Sequence, residues 1–154
     1  MTGIRLPFHL DPDDRDAICR AALTVTRHRL ADVTMDLQPL DEAWSEEAEW
    51  AAHEAQERYR PPLRLLTRRP KRDRHPTIDL DPRDDSDFRV AWALAPYTWT
   101  TAIDRDQLVV LDTELAVLIW VTSSEYVDLV AEVATVGGDT ELLVPDPTLK
   151  PWRS

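Results

Sequence analysis

The pattern that most constrains this sequence is a helical one that stops at two consecutive prolines. Residues 41–60 read DEAWSEEAEWAAHEAQERYR, are rich in Ala and Glu, and are followed by Pro61 and Pro62. Ala and Glu favour helices, and the residue before a proline is pushed out of the helical conformation, so the pattern predicts an amphipathic helix that has Asp41 as its cap. At about 100° per residue, its apolar side is formed by Trp44, Ala48, Ala51, Ala52, Ala55 and Tyr59.

Two similar acidic stretches suit the beginnings of helices. HLDPDDRD at 9–16 and DLDPRDDSD at 79–87 both place acids after Leu-Asp-Pro, which fits an Asp cap, a Pro in the first turn and carboxylates near the positive end of the helix dipole. The first stretch is followed by apolar residues at helical spacing. We predict a helix from Asp13 to about Leu30, in which Asp16 and Arg20 form an i,i+4 ion pair.

Alternation of apolar and polar residues predicts strands elsewhere. DVTMDLQ at 32–38 alternates, and FRVAWALA at 88–95 does so after the second acidic stretch, so we predict a strand at both places. The apolar runs at 97–103, 108–111 and 115–122 also predict strands. Because the last run is continuous, it is typical of a central strand that is buried on both faces.

The segment SSEYVDLVAEVATVGGDTELLVP fits two structures. It is compatible with a Ser-capped helix that ends at Gly137, or with a strand joined to TELLV by a Gly137-Gly138 hairpin turn. We favour the helix. The tail PDPTLKPWRS contains three prolines and is expected to lie extended on the surface.

Together these patterns predict the α+β fold class and a single domain of 154 residues. Its first part, residues 1–60, would be mainly helical with one short strand, and 61–87 would be a basic and acidic connector. Residues 88–144 would form a mainly antiparallel sheet with a further helix near 125–135. The tail at 145–154 would be extended.

Charge is distributed in three blocks that limit the partners of this chain. Residues 1–59, 60–75 and 76–154 carry net charges of −7, +6 and −10, and the whole chain carries −11. An acidic surface repels nucleic acid and anionic membranes at long range, so either would have to be met by the basic block. Because no apolar run is as long as a membrane helix and the N-terminus lacks an apolar signal-peptide core, we expect a cytoplasmic protein that binds no membrane.

The residues that usually carry chemistry form no known pattern. Only three glycines occur, so neither a Walker loop nor a dinucleotide fingerprint can be built. The four histidines stand far apart, the acidic stretches lack the spacing of a calcium loop, and a Gly-x-Ser-x-Gly elbow is absent. The single cysteine, Cys19, is expected to be a buried structural residue. We predict no metal and no cofactor, and favour a non-catalytic protein over a small enzyme without a motif.

Trp50 stands apart from the apolar side of the helix predicted at 41–60. Its helical angle places it among glutamates, although tryptophan is a frequent hot-spot residue of protein interfaces. Either a partner protein covers this side, or a loop of the chain, such as the basic block itself, folds over it and covers Trp50 by a cation–π contact with arginine. The residues predicted to bind a partner are Glu46, Glu47, Trp50, His53, Glu54 and Glu57.

The basic run PPLRLLTRRPKRDRHP at 61–76 has three interpretations. It fits a solvated connector, a segment that docks on an acidic surface of this chain or a partner, or a segment that binds the phosphates of nucleic acid. The favoured function is a regulatory, inhibitory or assembly protein that binds a protein partner, with nucleic-acid binding as the alternative and the oligomeric state left open. The residues that would meet an anionic partner are Arg64, Arg68, Arg69, Lys71, Arg72 and Arg74.

Overall fold

The computed structural model describes residues 1–37, 44–59 and 76–153, and within them it shows a mixed α+β fold with four α-helices and six strands. The strands are β1 (Thr2–Arg5), β2 (Leu30–Asp36), β3 (Thr77–Leu80), β4 (Thr100–Asp104), β5 (Val109–Asp112) and β6 (Leu118–Val121). The helices are α1 (Pro12–Thr26), α2 (Glu46–Arg58), α3 (Asp85–Leu94) and α4 (Ser123–Thr135), with short 3₁₀ helices at Arg27–Arg29 and Thr140–Leu142. In this part of the chain, no helix combines the length and the apolar character that a bilayer crossing requires.

The six strands form one sheet in the order β1-β6-β5-β4-β2-β3, and every neighbouring pair is antiparallel. The register aligns one apolar, buried residue of each strand in a single row. All four helices add buried residues to the same hydrophobic cluster, so the core of the protein lies on this side of the sheet. The row is formed by Ile4, Ile119, Leu111, Ala102, Val33 and Leu80.

On the opposite face of the sheet, the adjacent row of residues is mainly polar. The C-terminal tail covers part of this face. That row is formed by Arg5, Leu118, Asp112, Thr101, Thr34 and Asp79. Side chains alternate along a strand, so Trp120 of β6 also lies on this face, where the ring of Trp152 packs edge-on against it at 4.5 Å between centroids. The tail is held by a hydrogen bond of 3.0 Å from the Val109 N–H to the Trp152 carbonyl. The tail therefore buries Trp120 as well as lying on the surface.

Several predicted elements are confirmed. Helix α1 has Asp11 as its cap and Pro12 in its first turn, and the predicted strand at 32–38 is β2. The helix was the correct choice for the ambiguous segment after β6, but its cap is Thr122 and not the predicted serine. It begins with a capping box in which Thr122 and Glu125 exchange hydrogen bonds with each other's backbone N–H groups.

The predicted strand at 88–95 is wrong, because these residues belong to helix α3. The cap is Asp84, whose side chain accepts a hydrogen bond from the Asp87 N–H, and the first turn is acidic. The buried residues Val90, Ala91, Ala93 and Leu94 are joined by half-buried aromatic residues on other sides of the helix, so apolar side chains surround much of its circumference. A helix buried on several sides produces an alternating pattern by coincidence.

The first part of the chain contains more strands than the single one predicted. Strands β1, β2 and β3 all come from the first 80 residues, and neither β1 nor β3 was predicted. Both lie at opposite ends of the strand order. Because each is only four residues long, its alternation of apolar and polar residues is too short to detect in the sequence. The predicted cap Asp41 lies outside the described residues; α2 begins at Glu46 with Ser45 as its cap.

Candidate functional site

Helix α2 has the two sides that the sequence predicts, an alanine stripe and a side that contains Trp50 and glutamates. Its alanine stripe is buried in the core, as predicted, and consists of Ala48, Ala51, Ala52 and Ala55. Trp44 and Tyr59, which were predicted for the same apolar side, lie just outside the helix and are half-buried. Trp50 lies to one side of this stripe, half-buried and packed against the core. Its indole is therefore neither a core side chain nor a solvated one.

An arginine does cover Trp50, but it comes from α3. The guanidinium carbon of Arg89 lies 4.3 Å from the centroid of the Trp50 ring, and Arg89 itself is exposed. The sequence predicted a cation–π contact from an arginine of a covering loop, such as the basic block, whereas the observed arginine lies on a helix. Arg89 was missed because residues 88–95 were assigned to a strand, which could not present this side chain to α2.

The remaining predicted interface residues are all on the outer side of α2. Glu46, His53 and Glu57 are exposed, whereas Glu47 and Glu54 are half-buried. The basic residues predicted to meet an anionic partner, Arg64, Arg68, Arg69, Lys71, Arg72 and Arg74, lie outside the described residues.

Arg58 fixes α2 against α3. Its guanidinium donates hydrogen bonds to the carboxylate of Asp87 and, at 2.6 Å, to the hydroxyl of Ser86 in the first turn of α3. It also lies 3.7 Å from Glu54, one turn back on α2. These contacts join the end of one helix to the beginning of the next, so the two helices run antiparallel and bring Trp50 beside Arg89.

A groove over α1 is a second candidate site that the sequence did not predict. It has a volume of about 430 Å³ and is bounded by the indole of Trp92 on α3 and by Glu132 and Val136 at the end of α4. Asp16 and Arg20 lie on its floor, and Arg20 stacks on the Trp92 ring at 4.2 Å. The Asp16–Arg20 pair was visible in the sequence, but its neighbours come from helices 70 to 120 positions away.

A buried ion cluster lies at the beginning of α4. Arg29 donates two parallel hydrogen bonds, of 2.7 and 3.0 Å, to the carboxylate of Glu125 and a third, of 2.8 Å, to Asp104. Burial alone would raise the pKa of Glu125, but the hydrogen bonds from Arg29 and from the Thr122 N–H outweigh burial and lower this pKa below its usual value. Because the hydrogen bonds join these groups to one another, the cluster is a structural connection between α4 and the sheet.

A pair of carboxylates lies on the open face of the sheet. The hydroxyl of Thr34 is 3.2 Å from Asp32 and 2.8 Å from Asp79. Burial and then the negative charge of Asp79 raise the pKa of Asp32, although the hydrogen bond from Thr34 opposes them. The described residues contain no group of three His, Cys, Asp or Glu side chains that could hold a metal ion. Cys19 is buried, and burial raises the pKa of its thiol to about 12.

Comparison with protein-family models, curated proteins and solved structures finds no match for this chain. Within the described residues, the structure defines the class of this protein as α+β, with four α-helices and a six-stranded antiparallel sheet. Its function has to be argued from the geometry of its surfaces, because the fold alone does not determine function.

Proposed function

We propose that this protein is a regulatory, inhibitory or assembly protein that binds a basic surface of another protein through its α2 face. The α2 face consists of Glu46, Glu47, Trp50, His53, Glu54 and Glu57 together with Arg89 of α3.

The contact between Trp50 and Arg89 carries this proposal. Tryptophan and arginine are the residue types most enriched among interface hot spots, and here the two are stacked at the surface. Arg58 holds the two helices in place, so the pair is presented on rigid elements. An interface formed there would lose little conformational entropy on binding, because the aromatic side chain is already ordered.

The charge of α2 defines the kind of partner. Between residues 46 and 58 the helix carries five glutamates and one arginine, within a chain of net charge −11. Such a surface attracts a basic protein surface and repels the phosphates of nucleic acid. The nucleic-acid alternative therefore depends on the basic run at 61–76 and on none of the residues of the α2 face.

The test compares capture of host proteins by three forms of the full chain. One is the natural sequence, one carries Glu46→Lys, His53→Ala and Glu57→Lys, and the control carries Asp128→Lys and Glu141→Lys at other exposed positions. Both variants change the net charge equally, so non-specific attraction changes equally. We expect a protein that the natural chain and the control capture and the α2 variant loses.

Two results would contradict the proposal. Equal capture by all three forms would show that the α2 face is not used. Salt-sensitive binding of mixed-sequence DNA or RNA that is retained by the α2 variant would favour the alternative function, since phosphate contacts weaken steeply as salt rises.

A further inference from the structure

The groove over α1 is a binding site of a different kind from the α2 face. Its floor is one stripe of α1, because Asp13, Asp16, Ala17, Arg20 and Ala21 recur at helical spacing. The small alanine side chains leave space above α1, and residues of α3 and α4 form the two walls of the groove. At about 430 Å³ the groove has the size typical of small-ligand sites.

The groove has an excess of negative charge. Asp13, Asp16 and Glu132 line it, and among the described residues of its lining Arg20 alone is basic. This arginine is already engaged: its guanidinium lies over the Trp92 ring at 4.2 Å, and its Nε lies 2.9 Å from Asp16 in an ion pair that lacks an aligned hydrogen bond. Among the lining residues that the structure describes, one positive charge therefore faces three carboxylates.

The ionisation of Asp16 agrees with this excess. Burial raises the pKa of Asp16, and the charges of Asp13 and of Glu47 on α2 raise it further, while Arg20 lowers it; the net direction is upward. A second positive charge placed in the groove would relieve this repulsion.

We propose that the groove binds a small organic cation, an alkyl ammonium or guanidinium compound. Its charge would lie among the carboxylates of Asp13, Asp16 and Glu132, and its alkyl part would pack against Val136 and the edge of the Trp92 indole. An anion is disfavoured because the three carboxylates of the lining outnumber its guanidinium, which lies beside Asp16 and over the Trp92 ring. A metal ion does not fit either, because the described residues include no group of three ligating side chains.

The experiment is a titration of the ¹⁵N-labelled full chain with agmatine, followed by NMR at the indole N–H of Trp92, which is assigned from its loss in Trp92→Phe. We expect a saturable shift with agmatine and none with glutarate, an anion of similar length. Loss of one charged partner costs about 1.5 kcal/mol or more, so Asp16→Asn should weaken binding about tenfold. Asp128→Asn removes an equal charge from an exposed position of α4 and should leave the affinity unchanged within about twofold.

Some outcomes would overturn the proposal. They are the absence of a saturable shift, an equal shift with glutarate, or equal weakening by Asp16→Asn and Asp128→Asn. Because Asp16 pairs with Arg20, its replacement can also disturb folding, and Glu132→Gln on α4 is the second variant to test. It should weaken agmatine binding in the same way while the thermal midpoint is unchanged.

Discussion

Arg89 stacks on Trp50 at 4.3 Å and joins the middle of α3 to the middle of α2. This contact accounts for a tryptophan that stands outside the alanine stripe of its helix. Trp50 packs against the core with part of its ring, and the guanidinium covers another part. The pair thus contributes to stability and remains at the surface where a partner can meet it.

Replacing Trp50 should therefore cost more stability than replacing a solvated aromatic residue. Because half-burial retains part of the cost of a core truncation, we expect Trp50→Ala to lower the free energy of unfolding by about 2 kcal/mol. Phe8→Ala is the matched control, since Phe8 is 77% exposed, and it should change stability by less than about 0.5 kcal/mol. Urea unfolding at pH 7 measures both values. Equal, small effects would show that the Trp50 ring is not packed.

The contribution of Arg89 to the free energy of unfolding can be measured separately from that of the packing of Trp50. We expect Arg89→Ala to cost about 0.5–1 kcal/mol, the usual value of an exposed cation–π contact. In a double-mutant cycle with Trp50→Ala, the coupling energy should have the same size, because Arg89 has nothing to stack on once the indole is gone. A coupling energy near zero would mean that the two side chains stabilise the fold independently.

The sequence identified α2 and its two sides because both follow from helical geometry alone. The alanine stripe and the position of Trp50 depend only on spacing along one helix. The partner of Trp50 depended on the correct assignment of 88–95, and there the local alternation conflicted with the cap at Asp84. Local pattern is a weaker guide where a short helix is buried on several sides, as α3 is.

Arg29 should be the most costly single charge to remove. It is the common partner of Glu125, which is only 3% exposed, and of buried Asp104. Arg29→Met would remove the shared guanidinium from both buried carboxylates and leave only the His28 imidazole, 3.4 Å from Glu125, so we expect a loss of about 3–5 kcal/mol in urea unfolding. Arg83→Met is the control, because Arg83 and Asp81 form an exposed pair, and its urea midpoint should not move. If both variants unfold alike, the cluster is not a stabilising one.

The ion cluster could not be predicted, because its members are far apart in the chain. Arg29 and Glu125 are separated by 96 positions, and each has a local role that explains it: one ends a 3₁₀ helix and the other completes a capping box. Among 29 acids, sequence gives no means of pairing Arg29 with Glu125. The groove over α1 was missed for the same reason, since Trp92 and Glu132 come from separate helices.

Glu125 and Asp32 should respond to pH in opposite ways. The pKa of Glu125 is lowered from its usual 4.5, so its ionised form stabilises the folded state; that contribution is present above about pH 4.5 and is lost as the pH falls through the folded pKa. The pKa of Asp32 is raised above 3.8, so its ionised form is disfavoured in the folded state, and stability falls as the pH rises through the folded pKa.

Two isosteric variants test these signs. We expect Glu125→Gln to destabilise the protein at pH 7 by an amount that shrinks as the pH falls below about 4.5, and Asp32→Asn to stabilise it at pH 7 by an amount that disappears below about pH 3.8. Thermal midpoints measured from pH 3 to pH 7 give both curves, and buffers of equal ionic strength keep screening constant. Curves of the same sign would contradict the assigned direction of one of the two shifts.

The C-terminal tail should act as a cover for Trp120. The two rings pack edge-on at 4.5 Å, and Trp120 is fully buried although it lies on the open face of the sheet. Trp152→Ala removes the aromatic contact and part of the burial, so we expect a loss of about 2 kcal/mol and faster hydrogen exchange at the Trp120 indole N–H. Trp152→Phe keeps a ring in place and should retain most of the protection.

A substitution at Gly3 should also displace the C-terminal tail from Trp120. A Cβ atom at this position would lie 2.7 Å from Cβ of Leu149, so Gly3→Ala must push the tail away from β1. We expect a loss of about 1–3 kcal/mol, typical of overpacking, together with faster exchange at Trp120. Gly137→Ala is the control: its positive φ makes alanine costly, but a Cβ there meets no atom within 4 Å, so the variant should lower stability without changing Trp120 exchange. Faster Trp120 exchange in both variants would indicate global loosening, and protection that survives Gly3→Ala would show that something other than the tail buries Trp120.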